Sequence, residues 1–397
     1  MKLHQRIWKI GIRLNIKFIE MEIYSKNYTE QITQLKESPL FALSLCSKEL
    51  AHSNMWKWLM DTDREFAKAF FDNIDINNID EVERESGNRD ISIYMKDGSC
   101  YVIENKLKSI PTEQQINEYQ DKLGDKFVEG LLTGAIPTLS LSKLRWYFKS
   151  YEDISDRIRE INATLHDNQS IDDYLFSVVN RYCDDIQNIS SLITGDLDGN
   201  YPDNHYYSRC IELKGIKLYD IFLKHRAERF VRYIEKQPDY KNYTAINKKG
   251  WELKCSTGFS HGEALIDIAY VKKDKNSNKK EELYDIGVQI QGNEFRIRVS
   301  DISTNRNKDI IFNCLKSAGL FEDFNKTTNK IFRNNLTSMK GNKDTNYKYC
   351  KFVTDKYIAV YQYYNIKDGI SYDELWCQIK TELDRARIIV ENDKWPM

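Results

Sequence analysis

The chain has 397 residues, 41% of them hydrophobic and 12% aromatic, which is long for a single core and too apolar for a disordered chain. A formal net charge of -1 excludes a surface that is basic throughout, so any nucleic-acid-binding face must be a local patch. No two of the eight cysteines stand closer than Cys183 and Cys210, which excludes a local CxxC zinc pair and fits reduced thiols in a cytoplasmic protein.

No apolar run approaches the roughly 20 residues that span a bilayer, so no membrane association is expected. From Lys2 to Lys17 the chain is basic and free of acids, and Ile10, Ile12, Leu14, Ile16 and Phe18 alternate with polar residues. Period two points to an edge strand or an extension rather than a signal-peptide core, and Met21 offers an alternative start. Residues 1–37 are therefore set aside from the first domain. Ser38 to Met60 reads as a helix with Leu45, Glu49, His52, Trp56 and Met60 on one face. A strand-rich stretch from Glu81 to Lys106 follows, then a helix from Thr112 to about Val128, a strand at Ile136–Leu141 and a helix over Ile171–Ile193. Turn formers crowd residues 194–208, which we expect to link a domain over 38–193 to a second over 209–397. In the second, Leu213–Glu235 reads as a helix. Trp251–Cys255, Leu265–Val271, Tyr284–Gln291 and Phe295–Val299 read as strands, the last two joined by a Gly292-Asn293 turn. Ser371 and Glu374 form a capping box for a closing helix whose apolar face is Leu375, Ile379, Leu383 and Ala386.

The segment from Asp90 to Lys106 carries the chemistry. A three-residue turn, Lys96-Asp97-Gly98 with Gly98 left-handed, pairs Met95 with Ser99, Ile93 with Tyr101 and Ile91 with Ile103. That register joins the apolar residues on one face. It also places Asp90 opposite Glu104, about 5 Å apart at their Cβ atoms, with Lys106 further along the same face. Two such carboxylates repel unless a cation intervenes, and Mg2+ suits oxygen ligands. A lysine beside it can orient a water and stabilise charge on a phosphate. The competing reading is a surface hairpin with an ordinary charge cluster.

Asp90 with Glu104-Asn105-Lys106 on a hairpin resembles the PD-(D/E)XK nuclease superfamily, with Arg89 where the name has proline. Gln115-Ile-Asn-Glu-Tyr119 looks like the QxxxY motif of its RecB-like branch. The segment from Ser47 through Asn54 to Leu59 is similar to the "KELFHSN" opening of an uncharacterised bacterial group, and Gly287–Asn293 resembles a late motif of that group. The resemblance implies an α/β fold: a restriction-endonuclease-like core, with a central mixed sheet flanked by helices, plus a C-terminal α+β domain. It implies Asp90 and Glu104 as metal ligands, the Asn105 carbonyl as a third, and Lys106 as the catalytic lysine. Glu49 would lie near the metal, and Gln115 and Tyr119 would contact substrate phosphate or orient the lysine. Gln115 also suits a capping box with Thr112, Tyr119 also suits a core, and Glu49 with His52 also suits a helix-surface pair.

Residues 326–351 hold Lys326, Lys330, Arg333, Lys340, Lys343, Lys348 and Lys351 against Asp344 alone, interleaved with aromatics. They are either a phosphate-tracking surface or a solvated loop. Arg296, paired with Gln289 across the second hairpin, is a further candidate on an exposed row. The order of helix and three strands, with Asp267 and Gln289-x-Gln291, also suits a degenerate copy of the first core without metal chemistry. The expectation is an enzyme, a Mg2+-dependent or Mn2+-dependent nuclease acting on DNA ahead of RNA in genome defence or DNA processing. A second copy or an operon-encoded protein would be its partner. The alternatives are an RNA-cleaving member of the same fold and a catalytically silent binding module.

Overall fold

The computed structural model describes residues 29–43, 48–107, 113–134, 145–195, 202, 204–208, 210–244, 250–273, 282–301, 316–317, 319–320, 331–332, 350–353 and 358–392. The chain divides into two units, Met1–Asn200 with Ile211–Phe222, and Tyr201–Cys210 with Leu223–Met397.

The first unit is α/β. Helices α1 (29–37), α2 (Pro39–Ala42) and α3 (Glu49–Thr62) precede the sheet. The continuous helix expected from Ser38 to Met60 is thus interrupted. Ser38 caps α2 by accepting from Leu40 N–H, and Pro39 sits in the first turn, where its missing N–H does no harm. The strands are β1 (Ile79–Arg84), β2 (Ile91–Met95), β3 (Cys100–Asn105), β4 (Phe127–Gly134) and β5 (Trp146–Ser150), hydrogen-bonded in that order. β1, β2 and β3 run antiparallel, whereas β3–β4 and β4–β5 are parallel. A parallel neighbour requires a crossover, and α4 (Glu113–Leu123) lies between β3 and β4 in the chain. Helices α5 (Tyr151–Asp167) and α6 (Asp173–Thr194) follow.

The hairpin has the argued register. Ile91 faces Ile103, Ile93 faces Tyr101, and Met95 N–H bonds to Ser99 across a turn in which Gly98 has φ +81°. Helix α4 stops short of the expected Val128, because β4 starts at Phe127. The strand expected at Ile136–Leu141 lies outside the described residues. β4 itself is buried at both ends and packed from both sides, so it lacks the alternation that marks a half-exposed strand. Gly134 shows how tightly β4 lies against β3: a Cβ there would come within 2.3 Å of the Lys106 carbonyl oxygen.

One face of the sheet packs Cys100, Val102 and Leu132 against Ile116 and Tyr119 of α4, with Phe127 and Trp146. On the other, Tyr101 meets Phe71 edge-on and Trp56 of α3 meets Tyr151 of α5. Burial of this many large side chains stabilises each layer by about 1.5–3 kcal/mol per residue.

The second unit contains β6 (His205–Tyr206), the greater part of α7 (Tyr219–Glu235), and α8 (Tyr240–Thr244). It continues with β7 (Trp251–Ser260), β8 (Glu263–Lys273), β9 (Glu282–Gln291), β10 (Glu294–Asp301), β11 (Cys350–Val353), β12 (Ile358–Asn365) and β13 (Ile370–Ser371). Its closing helix, α9 (Tyr372–Glu391), carries the Ser371–Glu374 capping box and buries Leu375, Ile379, Leu383 and Ala386. The six-stranded sheet, ordered β11-β12-β10-β9-β8-β7, is antiparallel throughout. Asp267 does face Gln289, but β9 turns directly into β10 at Gly292-Asn293 with no crossover. Among the described residues this sheet thus has none of the parallel pairing that distinguishes the first, and its described strands do not repeat that order.

Among the described residues no helix is long and apolar enough to cross a membrane. Cys100, Cys183, Cys210, Cys255 and Cys377 are free thiols, the first three buried.

Candidate active site

Three elements deliver the site. β2 and β3 bring Asp90 and Glu104 to one face at the open end of the hairpin, and Lys106 leaves β3 on that side. The Asn105 N–H donates to Asp90 Oδ2 at 2.7 Å, closing the hairpin beyond its last strand pair. Glu104 is 1% exposed, and its Oε1 lies 2.6 Å from Lys106 Nζ. Helix α4 supplies the rest. Gln115 Nε2 donates to Glu104 Oε1 at 3.0 Å and to the Tyr119 hydroxyl at 2.7 Å. The Tyr119 hydroxyl in turn donates to the Asn88 carbonyl at 2.7 Å, in the turn leading to Asp90. Gln115 and Tyr119 share a helix face at four-residue spacing, which is why one amide can serve both oxygens. The pair meets Glu104 Oε1, the same oxygen that holds Lys106.

The electrostatics follow from that crowding. Burial pushes the Asp90 carboxyl above its ordinary value, against the pull of the Asn105 N–H and the Lys106 ammonium. Burial, and then the Asp90 carboxylate, push Glu104 up to about 7. Burial alone would lower Lys106. The charge and hydrogen bond of Glu104, together with the charges of Asp90 and Glu49, outweigh it and hold the ammonium above its ordinary value.

Glu104 Oε2 is buried and accepts no hydrogen bond among the described residues. An orphaned carboxylate oxygen is expensive to bury, by about 1–3 kcal/mol or more for a charged group, unless something binds it. Among the described residues no three His, Cys, Asp or Glu side chains converge into a complete ligand set. What is present, two carboxylates with one oxygen waiting, fits Mg2+, which binds through one or two carboxylates and keeps several waters. It does not fit a zinc centre closed by protein ligands.

Asn105 does more than the carbonyl expected of it. Its side chain, 1% exposed, donates from Nδ2 to the Glu49 carbonyl at 2.9 Å and to Ser53 Oγ at 3.2 Å. Its Oδ1 accepts from the Tyr151 hydroxyl at 2.6 Å. Glu49, the first residue of α3, thereby joins the site, and its charge acts on Asp90 and Lys106. His52 does not lie on the surface with it. His52 is 1% exposed, its Nδ1 lies 3.2 Å from the Tyr182 hydroxyl, and Trp56 and Tyr151 pack around it.

Asp90, Glu104, Lys106, Asn105, Glu49, Gln115 and Tyr119 thus lie together. Arg296 belongs to the second unit, where Glu294 and Gln289 engage its guanidinium and Tyr361 lies beneath it. Lys326, Lys330, Arg333, Lys340, Lys343 and Lys348 lie outside the described residues, and of Lys351 only the strand position is described. Sequence reasoning missed Tyr151, Asn88 and Arg84, which acts on Asp90 through its charge. For Tyr151 a signal existed in Ser150-x-x-Asp153, a capping box that starts α5. Compared with protein-family models, curated proteins and solved structures, the chain matches none.

Proposed function

We propose that the first unit is a PD-(D/E)XK nuclease core and that the chain hydrolyses phosphodiester bonds, DNA ahead of RNA, with Mg2+ or Mn2+. The observation that carries this reading is the partnerless, buried Glu104 Oε2 opposite Asp90, with Lys106 held by the other oxygen of the same carboxylate. Asp90, Glu104 and the Asn105 carbonyl would hold the cation, which when bound polarises a phosphate and acidifies a water. Lys106 is placed to stabilise the charge that grows on the phosphate oxygens during attack. Gln115 and Lys106 both hold Glu104 by Oε1, which would leave Oε2 for the cation. A surface charge cluster would leave Glu104 solvated, and it is buried.

The test is incubation of purified protein with plasmid, linear and single-stranded DNA and with RNA, in Mg2+, Mn2+ or EDTA. Cleavage in metal and none in EDTA is expected. Glu104→Ala and Asp90→Ala should abolish it and weaken divalent-ion binding in calorimetry. Full activity in Asp90→Ala would remove the site assignment. Faster cleavage of RNA would move the substrate, and binding without any cleavage would favour a silent binding module.

A further inference from the structure

The Asn105 side chain lies on the opposite side of β3 from the carboxylates, yet it is the group that ties α3 to the site. Its two Nδ2 protons go to the Glu49 carbonyl and to Ser53 Oγ, one turn further along α3, and Ser53 Oγ itself donates to the same carbonyl at 3.1 Å. The Glu49 carbonyl can only accept, so the amide must present Nδ2 there and Oδ1 to Tyr151. Tyr151 is fully buried at the start of α5, edge-on to His52 at 5.3 Å and to Trp56 at 5.6 Å. Its only freedom is rotation of the hydroxyl, and that is taken by Asn105 Oδ1. Three elements therefore meet at one amide. This contact ties the first turn of α3, which carries Glu49, to β3 and to α5.

We propose that Tyr151 and Asn105 form a positioning strut, which sets where the first turn of α3, and with it the Glu49 charge, stands relative to Asp90 and Lys106 and so tunes how the carboxylate pair holds a divalent ion. This rests on the metal-site reading above. Tyr151 touches neither substrate nor ion and acts only through Asn105 and Glu49.

The experiment is a double-mutant cycle on the full chain, with Tyr151→Phe and Glu49→Gln read by Mn2+ binding in calorimetry and by thermal melting without metal. Tyr151→Phe keeps the ring and removes one hydroxyl. It should weaken Mn2+ binding about fivefold, as the loss of one hydrogen bond would. Glu49→Gln should weaken it as well, and adding Tyr151→Phe to Glu49→Gln should weaken it no further. That non-additivity is the signature of a residue acting through Glu49. Unchanged affinity in Tyr151→Phe, or a lowered melting point with affinity retained, or effects that add, would each overturn the strut. Parent protein that binds Mn2+ yet leaves DNA and RNA intact would overturn the nuclease reading and leave the strut standing.

Discussion

Lys106 is 13% exposed and anchored at 2.6 Å to a carboxylate that also faces Asp90. Its ammonium balances part of the charge of that pair, and in the proposed mechanism its donors would act on water and phosphate rather than on the cation. Lys106→Ala should therefore slow cleavage about a hundredfold or more while retaining divalent-ion affinity, measured by single-turnover kinetics beside calorimetry. Unchanged turnover would return the residue to an ordinary ion pair. At this scale the sequence was informative where two constraints coincided. Burying Ile91, Ile93, Tyr101 and Ile103 on one face allowed only one hairpin register, and that register brought Asp90 to Glu104. The pairing of Asn105 with Tyr151 had no such signal. Their pairing at 2.6 Å joins residues that are distant in the chain, and only the packing of α5 against the sheet brings them together.

Elements were legible in proportion to their periodicity. Helix α6 and the closing helix α9 carry a one-sided apolar pattern and caps, and both are present. β4 went unread because a central parallel strand has no polar face to mark it, and Gly130 and Gly134 dilute its apolar run, whereas the edge strand β5 has only five residues in which a pattern could show. Packing between α2 and α6 contains a buried charge. Asp185 of α6 is 2% exposed, accepts from Ser38 Oγ, and has Arg181 Nε 3.9 Å from its other oxygen. Burial outweighs Ser38 and Arg181 and raises its carboxyl above the ordinary value. An acid whose pKa is higher folded than unfolded holds its proton longer in the native state, so stability falls as pH rises between the two values. Asp185→Asn keeps the acceptor for Ser38 and removes the charge. It should raise the melting temperature at pH 7, and the gain should vanish as pH falls below the usual aspartate range. A lower melting point at pH 7 would show that the Arg181 pairing outweighs burial.

At the scale of the whole molecule, two units with separate cores give separate expectations for unfolding. A ligand that binds one folded unit stabilises that unit alone, by an amount set by its concentration relative to its dissociation constant. Scanning calorimetry should resolve two transitions, of which adding Ca2+ or Mg2+ shifts one. Glu104→Ala should abolish the shift and leave the other transition where it was. A single transition, shifted as a whole, would show that the units unfold as one. The division itself was less legible than the site, since residues 211–222 return to the first unit after the turn-rich stretch.

Cys100 offers a way to watch one of these motions directly. The thiol is fully buried beneath Ile116 and Tyr119 of α4, and burial pushes it up to about 11. A reagent that alkylates thiolates must wait for the helix to lift away, whereas the exposed Cys377 reacts at once. The protein thus has a built-in clock: the rate of Cys100 labelling, read by mass spectrometry, times the opening of the helix that carries Gln115. Since Gln115 holds Glu104 in place, a cation seated on Glu104 should slow that clock, and labelling of Cys377 should proceed at its former pace.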